Sequence, residues 1–226
     1  MLPPELQERV VADSRDRVAW LRARSQGITA TDVANLSTPA SVLRAARQKL
    51  RPSGFSGNAY TDHGRRREPE IAMWVESEHG ILPSTALFRA DVEKRHLATP
   101  DGVGVDDGGR VVLAEIKTTN KPWRTIPRAY LRQVWWQQHV LGAERTLFTW
   151  EEHRDFRPVH DEPKCLWIDR DEAEIEKLVT LATALIDELY QLTTGQNIRA
   201  GSTSPREQAM LRAATQDAYR ALALID

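Results

Sequence analysis

The chain has 226 residues, 41% of them hydrophobic, with a formal net charge of −1 and a single cysteine, Cys165. That length fits one globular domain with extensions, or at most two small domains, and no stretch approaches the roughly 18 consecutive apolar residues of a membrane-spanning helix. One cysteine excludes an internal disulfide, a four-cysteine iron–sulfur cluster and a cysteine zinc site within one chain, and together with the lack of a charged-then-apolar leader in Met1–Glu5 it points to a reducing cytoplasm.

Charge is uneven along the chain. Residues 1–67 carry 12 Lys and Arg against 6 Asp and Glu, whereas residues 151–226 carry 9 against 15. A basic front suits a polyanion and an acidic rear suits solvent or a protein partner, provided that the sequence halves are also spatial halves.

Residues 5–24 read as a helix, with Leu6, Val10, Val11, Ala19, Trp20 and Leu21 as inward positions. A break at Gly27 precedes a capped helix start, with Thr29 or Thr31 as the N-cap before Val33 and Leu36. Helical patterns follow over 41–50 and 60–79, separated by a Ser- and Gly-containing loop. Strands are predicted near 86–92, 102–106 and 111–117. A strong helix follows over 128–142, then strands at 145–150 and 165–168 and a long amphipathic helix over 171–192. Residues 1–195 form one domain in this reading. Residues 196–226 extend it by a loop and a helix opened by the capping box Ser204-Pro205-Arg206-Glu207. Helices around a central mixed sheet make an α/β, or α+β, sandwich.

Two of these elements carry chemistry. Asp106-Asp107-Gly108-Gly109 is a hairpin turn signal, so the strands around Val103 and Val112 are antiparallel neighbours. Thr99-Pro100-Asp101-Gly102 leads into the first, and Glu115-Ile116-Lys117 ends the second. Strand side chains alternate, so Glu115 and Lys117 share a face, and Asp101 sits beside them across the hairpin. A strand running out into solvent would also explain an acid and a lysine at its end. The Pro-Asp-Gly at hairpin distance weighs against that, because charges at the end of a buried strand are costly unless paired or metal-bound. Two carboxylates supply oxygen ligands for Mg²⁺, and an adjacent lysine positions or deprotonates a water. Such a set equips a site for metal-assisted phosphodiester hydrolysis.

Four blocks in order extend this set. They are Arg24-Ser25-Gln26-Gly27-Ile28-Thr29-Ala30-Thr31, Gly64-Arg65-Arg66-Arg67-Glu68, the Asp101 and Glu115–Lys117 pair, and Tyr130-Leu131-Arg132-Gln133-Val134-Trp135-Trp136-Gln137. They resemble the R-x-x-x-I-T-A-S, G-x-x-x-E, PD-(D/E)xK and Y-x-x-Q-x-x-x-Q signatures of the phage λ exonuclease/YqaJ viral recombinase family of PD-(D/E)xK nucleases, with Thr31 in place of the usual serine. The resemblance spans about residues 20–150 and implies a restriction-endonuclease-like core, a central mixed sheet flanked by helices. It implies Asp101 and Glu115 as metal ligands with the Ile116 carbonyl as a third, and Lys117 as the residue that activates or orients water. Glu68 would stand at the edge of the metal site, holding a second ion through water. Gln133 would orient Lys117 or the scissile phosphate, with Tyr130 one turn before it.

Arg24 and Thr31 would hold the terminal phosphate, as an arginine and a hydroxyl at a helix N-terminus make an anion pocket. Arg65, helped by Arg66 or Arg67, would add charge along the DNA backbone. The activity implied is exonucleolytic, on linear double-stranded DNA from the 5′ end, leaving 3′ overhangs. Its cofactor would be Mg²⁺, with Mn²⁺ as a substitute and two ions at the site. Its partners would be duplex DNA ends, a single-strand annealing protein and further copies of itself in a ring trimer, with no membrane. The rival readings are a restriction or repair endonuclease on the same core and a non-catalytic DNA-end-binding protein.

Other residues have plainer readings. None of the six histidines has ligand spacing. Cys165 lies in an apolar run, as a core thiol would. Trp135 and Trp136 are adjacent on one helix and are not expected to face inward together, which leaves one at the helix edge. Trp123 lies in the loop after the Lys117 strand, where it could meet DNA.

Overall fold

The computed structural model describes residues 3–51 and 59–195. The capping box at Ser204 lies outside the described residues. The described residues divide into two compact units, one of residues 3–34 and 59–175 and one of residues 35–51 and 176–195.

The first unit begins with α1 (Pro4–Gln7), β1 (Val10–Asp13) and α2 (Arg17–Ser25), followed by β2 (Ile28–Thr29) and α3 (Ala30–Val33). The single helix expected over 5–24 is therefore two helices with a strand between them. β1 pairs antiparallel with β4 (Ala86–Arg89), so Val10 faces Phe88 rather than a helical neighbour. Asp16 caps α2 by accepting from the Ala19 N–H at 3.1 Å. Of the six inward positions only Leu6 is buried; Trp20 is half-buried. β4 also pairs with β5 (His96–Ala98), which runs parallel to β2, giving a four-stranded sheet in the order β1-β4-β5-β2.

The second sheet carries the Asp101 hairpin. Its order is β10-β8-β7-β6-β3, comprising β3 (Leu82–Pro83), β6 (Gly102–Val105), β7 (Val111–Thr119), β8 (Arg145–Arg154) and β10 (Lys164–Asp169), with β9 (Arg157–Pro158) paired to β8. The β6–β7 turn is the one expected. Gly109 takes φ +77°, and the Asp106 carboxylate accepts from the Gly108 and Arg110 N–H groups. β7 and β8 are parallel, joined by α6 (Arg128–Leu141), whose C-terminus turns on Gly142 at φ +74°.

Alternation along β7 divides its side chains between two faces. Val112, Ala114 and Ile116 pack with Ile71, Ala72 and Val75 of α5 (Ala59–His79) and with Leu147. Leu113, Glu115 and Lys117 face the opposite way. On β8, Phe148 belongs to a separate cluster with Val134, Tyr130 and Leu131 of α6 and with Trp123 and Trp150. α6 meets strands of both sheets as well as α3. That environment buries Trp135 and Trp136 together, at 7% and 0% exposure, so one of the two does not lie at an open edge as expected. The Trp136 indole N–H donates to the Leu97 carbonyl at 3.0 Å, and the Arg128 guanidinium lies 5.7 Å from the centre of the Trp135 ring.

Cys165 is exposed rather than a core thiol. It sits on β10, an edge strand bonded only to β8 among the described strands, where Ile168 is the one buried residue. The second unit contains α4 (Pro39–Leu50) and most of α7 (Glu172–Thr194). Val42 and Ala46 on the former and Leu178, Leu181, Ala182 and Leu185 on the latter are buried. Among the described residues no helix is long and apolar enough to cross a membrane.

Candidate active site

In the first unit α2, α3, α5, α6, β7 and the segment just before β6 converge on a cleft of about 480 Å³. Asp101 stands just before β6, pinned to β7 by its own backbone and side chain. Its N–H donates to the Ala114 carbonyl at 3.1 Å, and its Oδ2 accepts from the Ile116 N–H at 2.7 Å. Glu115 and Lys117 come from β7 on the face that alternation predicts. The Lys117 ammonium donates to Glu115 Oε1 and, at 3.2 Å, to the Ile116 carbonyl oxygen. Glu68 reaches the mouth of the cleft from α5. This helix passes close over the end of β7, where a Cβ added to Gly64 would lie 2.7 Å from Thr118 Oγ1.

The electrostatics follow from three acids facing one lysine. Burial pushes the Asp101 carboxyl well above its ordinary range, and Glu115 pushes it further; Lys117 and the Ile116 N–H oppose them. Burial likewise raises Glu68 at the mouth, with Lys117 opposing and Glu115 adding. For Lys117, burial acts to release the proton, but Glu115 and Asp101 outweigh it and the net direction is upward. Lys117 serves here as a donor, to Glu115 and to the Ile116 carbonyl.

Most of the residues singled out from the sequence line this cleft; the side chains of Ile116, Arg66 and Arg67 do not. Arg24, Thr31, Arg65, Glu68, Asp101, Glu115, Lys117, Tyr130 and Gln133 are in its wall. Ile116 contributes through its backbone, since its side chain turns into the core beneath α5. The Lys117 ammonium lies 5.5 Å from the centre of the Tyr130 ring. Gln133 faces the cleft, but Lys117 is bonded to Glu115 and Ile116 rather than to it. Arg24 donates to Thr31 Oγ1 at 3.4 Å and lies 4.3 Å from the centre of the Trp20 ring.

Two expected features differ. The helix behind Arg24 and Thr31 is the four-residue α3, whose Asp32 N–H and Thr29 N–H are consumed by a Thr29–Asp32 capping box. The groups of this pair that face the cleft are the Arg24 guanidinium and the Thr31 hydroxyl. Arg67 also turns away from the cleft. Its Nε and Nη2 donate to Glu151 at 2.8 and 3.1 Å, and it pairs with Glu70. Arg65 stays at the cleft, with Asp62 3.6 Å away.

The structure adds Gln137 to the set. Its Nε2 donates to Glu115 Oε2 at 2.7 Å, and it is buried at 2% exposure with its Oε1 unpartnered. Gln133 and Gln137 share a helical face, and the spacing of four is legible in the sequence. Which of the two reaches the acid depends on the depth of α6 against β7. Trp20 is a second addition, its indole N–H 3.4 Å from Thr99 Oγ1.

The donor set suits a hard cation. Asp101 and Glu115 offer carboxylate oxygens and Ile116 a carbonyl oxygen, and the Lys117 ammonium already draws the last two donors to one point. No group of three or more His, Cys, Asp or Glu gathers in metal-holding geometry among the described residues. Mg²⁺ does not require one, because it is held by one or two carboxylates and completes its shell with water and substrate phosphate.

Comparison with known proteins gives the family and the fold. The chain matches the YqaJ-like viral recombinase domain over residues 19–144. It is similar in structure to an alkaline exonuclease from Laribacter hongkongensis, LHK-Exo, at 26% identity and a TM-score of 0.60, covering 76% of this chain and 92% of that one. The same enzyme in complex with dAMP gives 25% identity and a TM-score of 0.61 over the same shares. A phage-related exonuclease from Haemophilus somnus 129PT shares the fold at 13% identity and a TM-score of 0.59, covering 75% of this chain and 96% of its own. No sequence match to a curated protein reaches significance. With more than half of its length matched and the PD-(D/E)xK residues gathered on one sheet, the chain belongs to the YqaJ-like viral recombinase family.

Proposed function

We propose that this protein is a metal-dependent DNA exonuclease that hydrolyses linear double-stranded DNA from the 5′ end and leaves 3′ overhangs for phage-type recombination. The observation that carries the reading is the convergence of Asp101, Glu115 and Glu68 on Lys117, in one cleft with the Arg24–Thr31 pair. The likeness to an alkaline exonuclease supports the reaction class, and the dAMP complex of that enzyme supports a nucleotide as the product.

In this reading Asp101, Glu115 and the Ile116 carbonyl hold Mg²⁺, or Mn²⁺ in its place, and Glu68 supports a second ion through water. The metal supplies Lewis-acid stabilisation of the charge that grows on the phosphate and a more acidic bound water. Lys117 donates to and orients the attacking water, and its charge lies where the phosphorane develops. Gln137 fixes the Glu115 carboxylate. Gln133 and Tyr130 face the scissile phosphate. Arg24 and Thr31 receive the terminal phosphate through charge-assisted hydrogen bonds, and Arg65 follows the backbone. The protein works in the cytoplasm as a homo-oligomer, a trimer in this reading, and hands its overhang to a single-strand annealing protein.

The test uses linear and circular duplex DNA labelled at the 5′ or 3′ end of the linear form, with Mg²⁺ or EDTA, for the wild type and Lys117→Ala. Mg²⁺-dependent release of the 5′ label from linear DNA alone, lost in the variant, is the expected result. Nicking of circles would replace the exonuclease reading with an endonuclease. End binding without hydrolysis would replace it with a non-catalytic DNA-end-binding role.

A further inference from the structure

A second groove, of about 570 Å³, opens beyond the catalytic cleft. The two share Tyr130 as a common wall. The floor of the second is the continuation of β7 past Lys117, namely Thr118, Thr119, Asn120 and Lys121. Its walls carry Trp123, Tyr130 and Phe156 together with His63 and His153. None of its lining residues is acidic, in a chain with 32 Asp and Glu.

The aromatic walls are held in place from behind. The Trp123 ring centre is 5.3 Å from that of Tyr130 and 6.2 Å from that of Phe148. On the other side His63 Nε2 lies 2.5 Å from His153 Nδ1, and His153 Nε2 lies 2.8 Å from Glu151, which is buried and bound by Arg67. Phe156 stacks edge-on to His63 at 5.3 Å yet remains 43% exposed. It sits in the β8–β9 turn at φ +62°, directly after Asp155 at φ +51°. A bulky residue at positive φ in a turn is strained where glycine or asparagine would be relaxed. The turn thus carries a costly aromatic at the lip of a groove whose lysine, Lys121, has no carboxylate partner among the described residues.

We propose that this groove is a second, non-catalytic nucleotide subsite that takes unpaired nucleotides of the DNA strand passing through the catalytic cleft. Bases stack on Trp123 and Phe156, and a backbone phosphate meets Lys121. Flat rings, an uncompensated cation and no carboxylate match a single-stranded polyanion, because every base presents a π-face whatever its sequence. Continuity through Tyr130 favours this occupant over a peptide. The proposal rests on the nuclease reading of the adjoining cleft.

The test uses the full chain in EDTA, so that no strand is cut, with single-stranded oligothymidylate carrying 2-aminopurine at successive positions. Quenching at one or two neighbouring positions is expected with the wild type. It should be lost in Phe156→Gly and Trp123→Ala and kept in Trp123→Phe, with affinity falling about 5- to 150-fold for each lost stack. Lys121→Ala should lower the slope of log affinity against log salt by about 0.7. Phe156→Gly is the safeguard on folding, since glycine is relaxed at that φ. Unchanged quenching and affinity in Phe156→Gly and Trp123→Ala, with Mg²⁺-dependent nuclease activity intact, would overturn the subsite and spare the nuclease. Phe156-dependent quenching in a protein without any nuclease activity would support the subsite and overturn the nuclease. Phe156-dependent self-association without quenching would make the groove an interface between copies and overturn the proposal.

Discussion

Replacing Gln137 by Met isolates the hydrogen bond that reaches Glu115 from α6. The side chains have similar length, so the change removes a donor without opening a large cavity. Gln137 is 2% and Glu115 4% exposed, and their 2.7 Å bond is charge-assisted. A hydrogen bond to a charged group contributes about 1.5–3 kcal/mol. Lys117 still holds the other oxygen of Glu115, and the Gln137 Oε1 has no partner to lose, so the loss belongs near the lower end, about 1.5–2 kcal/mol. For a chain of this size that corresponds to a fall in Tm of roughly 3–8 °C. The assay is a double-mutant cycle of Gln137→Met and Glu115→Gln by urea melts, paired with Mn²⁺ titration followed by electron paramagnetic resonance. A coupling of about 1 kcal/mol or more between the two residues and a Mn²⁺ affinity about 10- to 100-fold weaker in Gln137→Met are expected. Additive melts together with an unchanged Mn²⁺ affinity would refute the view that Gln137 orients Glu115.

Two further outcomes concern the scaffold. His96 is buried against Trp136 and 3.1 Å from His139 Nε2, and burial first, then the His139 charge, push its pKa down to about 4. The unfolded chain therefore takes up a proton near pH 6.5 that the folded protein refuses until about pH 4, so stability is full above pH 6.5 and is lost as pH falls through that window. The loss is on the order of 3 kcal/mol by urea melts at pH 7 and 4, and its absence, or an equal slope in His96→Phe, would refute it. Gly27→Ala would place a Cβ 2.3 Å from the Arg95 carbonyl oxygen, the acceptor for the Ile28 N–H at 2.7 Å. It should cost about 1–3 kcal/mol and speed hydrogen exchange at Ile28, whereas a Tm equal to wild type would show that β2 shifts freely.

Local pattern carried the active hairpin and the helices around it. The Asp106–Gly109 turn needs only a glycine at positive φ and an acid able to bond its own backbone, both encoded within a few residues. The alternation of Glu115, Ile116 and Lys117 is a property of the strand itself, so their two faces were readable. The same holds for α6 and its stop at Gly142. Tertiary structure alone decided the rest, because its determinants lie far apart in the chain. Val10–Asp13 is a strand only because β4, more than 70 residues later, supplies the ladder that turns it from a helical pattern. Trp135 and Trp136 are both buried because α6 meets two sheets, and Cys165 is exposed because β10 is an edge. Arg67, on α5, is paired away from the cleft by Glu151 on β8, and Gln137 was brought to Glu115 by the depth at which α6 packs. The sequence by itself determined which side chains could hold a cation and a phosphate. Packing between distant segments determined which of them meet, since a partner tens of residues away leaves no trace in local periodicity.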